Sequence, residues 1–269
     1  SLGYDNQWRN FRWTTNFTYS WNKNEIIELA ANAVNPVTGE ALNLTKLDIK
    51  GLGKAKYILK EGGTLGDLYT TSNLRFNDNG YVEVDKNGNL LMTDEGEDIY
   101  LGSVFPNHNL AWRNDFSYKG INLGVLFTAR LGGVCYSATQ ANLDLYGVSE
   151  ASAAARDAGG VLINGREMVD AQKWYQAIGS QSGLPQYYLY SATNVRLQEL
   201  SLGYTFPRKW FRNKLGLTVS FVGRNLWMIY CKAPFDPEAV ASTGLNYQGI
   251  DYFMMPSVRN LGFNVKFQF

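Results

Sequence analysis

Four stretches of the 269-residue chain carry residue types that could do chemistry. The first sets Glu83, Asp85, Asn87 and Gly88 ahead of Asp94, a spacing similar to an EF-hand calcium loop. Glu stands where the first ligand would be Asp, and Asp where a bidentate Glu is needed. Ion binding by Glu83, Asp85, Asn87 and Asp94 therefore stays open beside the better reading, a solvated hairpin turning at Asn87-Gly88. The second, GLGKAK at 51–56, lacks phosphate-loop spacing and reads as a flexible loop. The third, Asp236-Pro237-Glu238, holds two carboxylates that an extended backbone is expected to point apart, which argues against acid–base pairing. The fourth holds Trp174, Tyr175, Tyr187, Tyr188 and Tyr190. Trp174 and Tyr175 are candidates for stacking on a ligand's sugar rings. Loop packing or a place at a membrane interface is the competing reading, and the favoured one for Tyr188 and Tyr190. One histidine, His108, and two cysteines, Cys135 and Cys231, in no metal or redox spacing, assemble neither a metal cluster nor a nucleophilic triad. A disulfide between the two stays open, but with no spacing argument for it the favoured reading is two unpaired thiols. No catalytic residue and no cofactor site emerges, so the chain does not read as an enzyme.

The elements that must position these residues are strands. A net charge of +1 gives no pull toward nucleic acid or an anionic surface. Aromatics reach 14% and glycines number 27 against seven prolines, a mix that suits strands joined by Gly turns. No run of 18 apolar residues exists to make a membrane helix, and the first ten residues lack the basic start and apolar core of a signal peptide.

In FRWTTNFTYSWN, Phe11, Trp13, Phe17, Tyr19 and Trp21 share one parity, and Arg12, Thr14, Asn16, Thr18, Ser20 and Asn22 the other. The same alternation predicts strands over 111–118 and 121–131 joined at Lys119-Gly120, over 194–206 ending at Pro207, over 215–227, and over 258–269. Ordinary strands average about 5–6 residues, whereas a transmembrane β-strand needs about 9–11. Length and the fully polar second face favour a wall between lipid and an aqueous lumen. The connections at 119–120 and 207–214 are short, and those at 23–110, 132–190 and 228–257 are long, the pattern of an outer-membrane barrel with long loops outside. Helices are expected at 149–160 and 166–183, the second capped by Gly179, and a hairpin over 81–93.

The stretches ATNVRLQELSLGYTFPRKW, GRNLWMIYCKAPFDPEAV and QGIDYFMMPSVRNLGFNVKFQF resemble the C-terminal barrel of SusC-like (SusC/RagA-type) TonB-dependent outer-membrane transporters of Bacteroidetes. WTTNFTYSWNKNEI and LDLYGVSEASAAARDAGGVLING resemble upstream barrel and loop segments of that family. The resemblance implies an all-β, antiparallel barrel segment of roughly six long strands out of about 22. Residues 1–269 would form one C-terminal portion, with plug and earlier strands N-terminal to Ser1. It implies import of glycans or peptides, a SusD-like surface lipoprotein and the TonB complex as partners, and outer-membrane lipid around the wall. Asn225, Asp236, Pro237 and Glu238 would be a structural family motif. Phe263, Phe267 and Phe269 would be the signal read by the outer-membrane assembly machinery. A soluble or surface β-rich carbohydrate-binding module is the alternative; it would bury the aromatic faces between two sheets.

Overall fold

The computed structural model describes residues 1–269 apart from 31, 32, 43, 94, 95, 181, 243, 245 and 246. Along the chain, β1 (Leu2–Trp8) and β2 (Phe11–Trp21) precede a first long connection, which contributes β3 (Lys46–Leu52), β4 (Ala55–Lys60), β5 (Asp67–Thr70) and β6 (Ile99–Ser103). Strands β7 (His108–Tyr118) and β8 (Ile121–Leu131) follow. The second long connection holds β9 (Val134–Ser137), α1 (Ala138–Leu145), α2 (Glu150–Asp157), β10 (Val161–Ile163), β11 (Glu167–Val169), α3 (Ala171–Ile178) and β12 (Leu189–Ser191). Then come β13 (Asn194–Phe206), β14 (Gly216–Cys231), β15 (Ile250–Asp251) in the third connection, and β16 (Asn260–Gln268).

Seven of these strands form one antiparallel meander in the order β1-β2-β7-β8-β13-β14-β16. The six segments with long alternation are all in it. The seventh, β1, alternates too, but Asn6 interrupts its apolar parity of Leu2, Tyr4 and Trp8. The register keeps one chemistry on each face. Phe17 lies opposite Trp112, which lies opposite Phe127, and Leu202 lies between Leu123 and Phe221, which faces Phe263. On the other face Thr14, Asp115, Gly124 and Ser201 run in line. The sheet is open at β1 and β16.

All short turns fall at one end. Lys119 and Gly120 both have positive φ, 47° and 91°, which the two-residue turn of a twisted hairpin demands. Arg9-Asn10 and 207–214 close the same end, because Phe11 pairs with Tyr118 and Phe206 with Leu217.

The three long connections meet at the opposite end and build a cap with its own hydrophobic core. Tyr57, Leu68 and Leu74 from the first, Tyr136 and Leu184 from the second and Ile250 from the third are at most 1% exposed. The four-stranded sheet β3-β4-β5-β6 supplies one layer, and the three-stranded sheet β12-β9-β15 with α1 and α3 supplies the other side. The run at 51–56 is thus not a loose loop but the tight hairpin between β3 and β4, with Ala55 fully buried. Polar ties join the connections: Tyr57 donates its hydroxyl to the Gln248 carbonyl, and Gln186 Nε2 donates to Ser72 O at 3.1 Å and Asn73 Oδ1 at 3.0 Å. Each helix starts on a side-chain cap, Ser137, Ser149 and Asp170. Helix α3 does end at Gly179, but with φ −78°, so no left-handed cap forms. Glycine is needed there for space, since a Cβ would lie 2.5 Å from Tyr175 O and 2.8 Å from Ala141 O.

Candidate functional site

The polar face of the sheet carries a row of alternating charge. Arg113 Nε and Nη2 donate to Asp115 at 2.8 and 3.0 Å, and its Nη1 donates to Glu199 Oε1 at 3.2 Å. Arg224 Nε donates to Glu199 Oε2 at 3.0 Å. Arg113 on β7 reaches Glu199 on β13 across β8, whose Leu126 pairs with both, and Gly124, two residues before it, lies between Asp115 and Ser201. A Cβ there would stand 2.9 Å from Asp115 Oδ1 and 2.5 Å from Ser201 Oγ. Around the row are neutral donors and acceptors: Ser117 Oγ meets Asn122 Oδ1 at 3.0 Å, and Asn122 Nδ2 meets Thr205 Oγ1 at 2.9 Å. Both signs and many amides on one side of a sheet make a wetted wall that offers contacts to a polar ligand.

Where that face meets the cap, the chain buries an arginine. Arg196 of β13 is 3% exposed. Its Nε donates to Asn194 Oδ1 at 3.2 Å, its Nη1 to Asn225 Oδ1 at 3.3 Å, and its Nη2 to Asp236 Oδ1 at 2.9 Å. Glu238 Oε1 is 3.0 Å from the same Nη2, and Glu238 Oε2 lies 3.4 Å from Arg130 Nη2. Asp236 also accepts the Glu238 N–H at 3.0 Å and the Ser257 hydroxyl. Asn225 Nδ2 in turn donates to Ser257 Oγ at 2.8 Å.

The local sequence explains this convergence. Between the pairs Glu199–Arg224 and Leu197–Trp227, β14 has two residues, Asn225 and Leu226, where β13 has only Gln198. That bulge turns Asn225 to φ 52°, a conformation asparagine tolerates better than most residues, and aims its amide at the arginine. Asp236 and Glu238 are two apart on either side of Pro237. The expectation that their carboxylates diverge is overturned because the segment is a turn and not an extended strand: the Ala239 N–H donates to Asp236 O at 3.0 Å, the chain folds back at Pro237-Glu238, and one guanidinium gathers both carboxylates. Burial alone would raise the Asp236 carboxyl. The hydrogen bonds from Arg196, Ser257 and the Glu238 N–H, with the charge of Arg196, outweigh it and hold the group below the usual carboxylate range. A charge-neutralised group of this kind, ionised at neutral pH, is a fastener. It is not a proton donor.

Asn225, Asp236 and Glu238 thus come together, and Arg196 is what joins them. The sequence reading missed it. The available signal was an arginine on the parity of Leu200, Leu202 and Tyr204, out of place on an apolar face unless a bulge intervenes, with two acids ahead in the next connection.

The other candidates are dispersed. Trp174 is half-buried on α3, edge-on to Tyr187 with ring centroids 6.0 Å apart, and packs on the cap core. Tyr175 borders a separate cavity of about 200 Å³ with Arg156 and Asp144. Tyr188 is buried, and Tyr190 meets Phe235 edge-on at 5.7 Å. Glu83 pairs with Arg75, and Asp85 accepts the N–H groups of Asn87 and Asn89, each at 2.8 Å, and the Asn89 amide at 2.8 Å. Those bonds, Asn89's first, lower the Asp85 carboxyl and occupy its lone pairs in the turn around Asn87-Gly88. Asp94 lies outside the described residues. Among the described residues, no group of three or more His, Cys, Asp or Glu is placed to hold a metal ion. Cys135 and Cys231 are free, and burial pushes the Cys135 thiol up to about 12, which keeps it protonated and inert. His108 Nδ1 lies 2.9 Å from the Tyr19 hydroxyl at the sheet rim.

Phe263, Phe267 and Phe269 stand exposed on the apolar parity, 80%, 56% and 99%. Nothing among the described residues covers the apolar face, as the two-sheet module would require; Leu202 is 55% exposed. No helix is long and apolar enough to cross a membrane, which says nothing of strands.

No family model matches the chain. Among curated proteins it is 25% identical over 289 residues to TonB-dependent receptor P3 and 21% identical over 315 residues to TonB-dependent receptor P39, both of Formosa agariphila. Each alignment takes in 96% of the chain but only 27% and 28% of the relative. Among solved structures, the RagAB peptide importer superposes with a TM-score of 0.59 in its closed-closed state and 0.60 in its open-open state, at 20% and 18% identity. Those matches cover 98% and 97% of the chain, and 28% and 27% of the importer chain. The apolar and polar faces, the one-sided long connections and these similarities agree: the chain is similar to TonB-dependent receptors of the outer membrane, shares the fold of part of the RagAB importer, and spans little more than a quarter of the relatives it matches.

Proposed function

We propose that this chain forms one wall of an outer-membrane importer for oligosaccharides or peptides. In this reading the apolar face of the seven-stranded sheet meets lipid, the charged row meets the lumen, and the cap stands outside the cell. The wall would be part of a barrel of about 22 strands, with residues 1–269 as its C-terminal portion. A plug supplied elsewhere would couple it to TonB, and a SusD-like lipoprotein would deliver substrate to the cap side. Asn225, Asp236, Pro237 and Glu238 serve as structural residues around Arg196, and the outward Phe263, Phe267 and Phe269 as the signal for the assembly machinery. Trp174 or Tyr175 could touch substrate only at the cap surface.

The two-faced sheet carries this reading. Phe11 and Trp21 stand ten residue steps apart on the outward parity of β2. At about 3.3 Å per step that is about 33 Å, and a strand tilted by about 40° spans about 25 Å of membrane, the height of the apolar band of such barrels. Aromatic residues mark both ends, with Trp8 and Trp210 below and Trp21 and Trp227 above.

Neighbouring substitutions on β14 test it. Val219→Arg, on the apolar parity, should cost about 2–4 kcal/mol of insertion if it lies near mid-membrane. Ser220→Arg should insert nearly normally and alter uptake of charged substrates instead. Equal insertion of the two, read by outer-membrane fractionation and protease resistance, would refute the assignment of faces.

A further inference from the structure

A cavity of about 580 Å³ lies where the upper ends of β2 and β7 meet the first connection's sheet. Three rings, Trp21, Tyr100 and Phe105, and three side-chain amides, Asn22, Asn107 and Asn109, contribute to its lining. The Asn22 and Asn107 backbones bond each other at 3.0 Å, but the three amide side chains make no hydrogen bond among the described residues. Asn24 differs, because its Oδ1 accepts the Leu65 N–H at 3.0 Å and holds the loop. No carboxylate lines the cavity. Its one charged residue is Lys23, 3.7 Å from Glu25.

Uncommitted amides beside exposed rings suit one chemistry above others. A sugar ring offers a C–H face to an aromatic ring and adjacent hydroxyls to an amide, which has a donor and an acceptor side by side. An amine or a peptide N-terminus would call for a carboxylate, and an extended peptide for a free strand edge. The position of Trp21 indicates the source of the sugar. It lies on the apolar parity of β2 at the cap end, 60% exposed, at the level where interfacial tryptophans sit beside lipid headgroups. We propose that this cleft binds the sugar headgroup of an outer-leaflet glycolipid, with Trp21 beneath a sugar ring, Asn22 and Asn107 on its hydroxyls and Lys23 near its phosphates. The proposal rests on the reading that the sheet's apolar face meets lipid.

The test uses the intact protein in nanodiscs and three probes: rough lipopolysaccharide with its core sugars, lipid A alone, and free maltoheptaose. Native mass spectrometry and competition titration should show retention of the core-bearing lipopolysaccharide over lipid A. Trp21→Ala and the paired change Asn22→Ala with Asn107→Ala should each weaken it by about 10-fold, the scale of one or two lost polar contacts. If Trp21→Ala fails to insert, the amide pair carries the test, since those side chains hold nothing within the protein. Equal binding of lipid A, competition by maltoheptaose at matching concentration, or wild-type retention by the amide pair would each overturn the proposal. None of these would disturb the assignment of faces, which stands or falls on Val219→Arg against Ser220→Arg.

Discussion

In the cap, Tyr57, Leu68, Leu184 and Ile250 are at most 1% exposed, whereas in the sheet Leu202, Phe263 and Phe267 are more than half exposed. The two regions use the same apolar residue types under opposite rules. The five inner strands of the sheet satisfy their backbones through ladder bonds on both sides, but the apolar face finds no protein partner among the described residues. That arrangement is stable where the surrounding solvent is itself apolar. On the proposed reading the cap stands in water and must bury its own apolar groups, so it folds the three connections over one another. The membrane boundary of that reading would run where burial switches on, between the ends of β2, β8 and β14 and the first residues of the cap.

The strongest way to break the comparison is at the joint between the two regions. Arg196→Ala leaves Asp236 without the cation that neutralises it and Glu238 with Arg130 alone, and removing one partner of a buried pair costs about 3–5 kcal/mol. The third connection should lose its anchor while the sheet keeps its ladder. Limited proteolysis should therefore cut within 232–249 long before the strands melt. Asp236 also sets a direction in pH. Its folded pKa is depressed, so its contribution is complete above the unfolded value of about 3.9 and disappears as pH falls through the lower folded value. Protection of the third connection should hold from pH 7 to 5 and fail below about 4, and Arg196→Ala should abolish that acid-side transition. An intact third connection in Arg196→Ala at neutral pH would mean that Arg196 is not what fastens it.

A second break compares two leucines. Leu68→Ala in the fully buried cap core should cost about 2–5 kcal/mol, the range for a cavity in a packed interior. Leu202→Ala removes atoms that touch little protein and should cost well under half as much in detergent. Thermal melts of the two purified variants decide it. A matching loss for Leu202→Ala would require a protein layer over the apolar face.

The sheet was the legible part of the chain. Alternation has period two, so Phe11 to Trp21 or Leu261 to Phe269 shows both the strand and its two environments without any long-range knowledge. The cap was not legible, because its strands are two to seven residues long and many of their partners lie far apart in sequence: Ile250 pairs with Tyr136, and Tyr57 bonds to Gln248. The hairpin around Asn87-Gly88 and the cores of α2 and α3 were readable because turn and cap signals are local. In the candidate site, Asn225, Asp236 and Glu238 stood out by resemblance. Arg196 did not, since strict alternation puts it on the parity of Leu200 and Leu202, and only the register shift between Leu197 and Glu199 turns it to the polar face, where the bulge at Asn225 and the turn at Pro237 bring its acceptors to it.

The smallest expected effect lies on the polar face, and it sharpens the comparison from the other side. Arg224 is 64% exposed at its side chain and donates to Glu199, which is 17% exposed and also holds Arg113. Arg224→Gln leaves Glu199 one cationic partner, Arg113, and shifts the row from neutral to one net negative charge. An exposed ion pair contributes about 0–1 kcal/mol, and the melting temperature should scarcely move. What changes is the field in the lumen, by one unit of charge, felt within a Debye length of about 8 Å at physiological salt. Uptake of a charged substrate should therefore change and that of a neutral one should not, and the difference should shrink as salt rises. Trp227, three positions along the same strand, is the counterpart on the apolar parity: Trp227→Gln should impair insertion and leave charge selectivity alone. A salt-independent change in Arg224→Gln, or one shared equally by neutral and charged substrates, would show that the row shapes the wall and does not act through its charge.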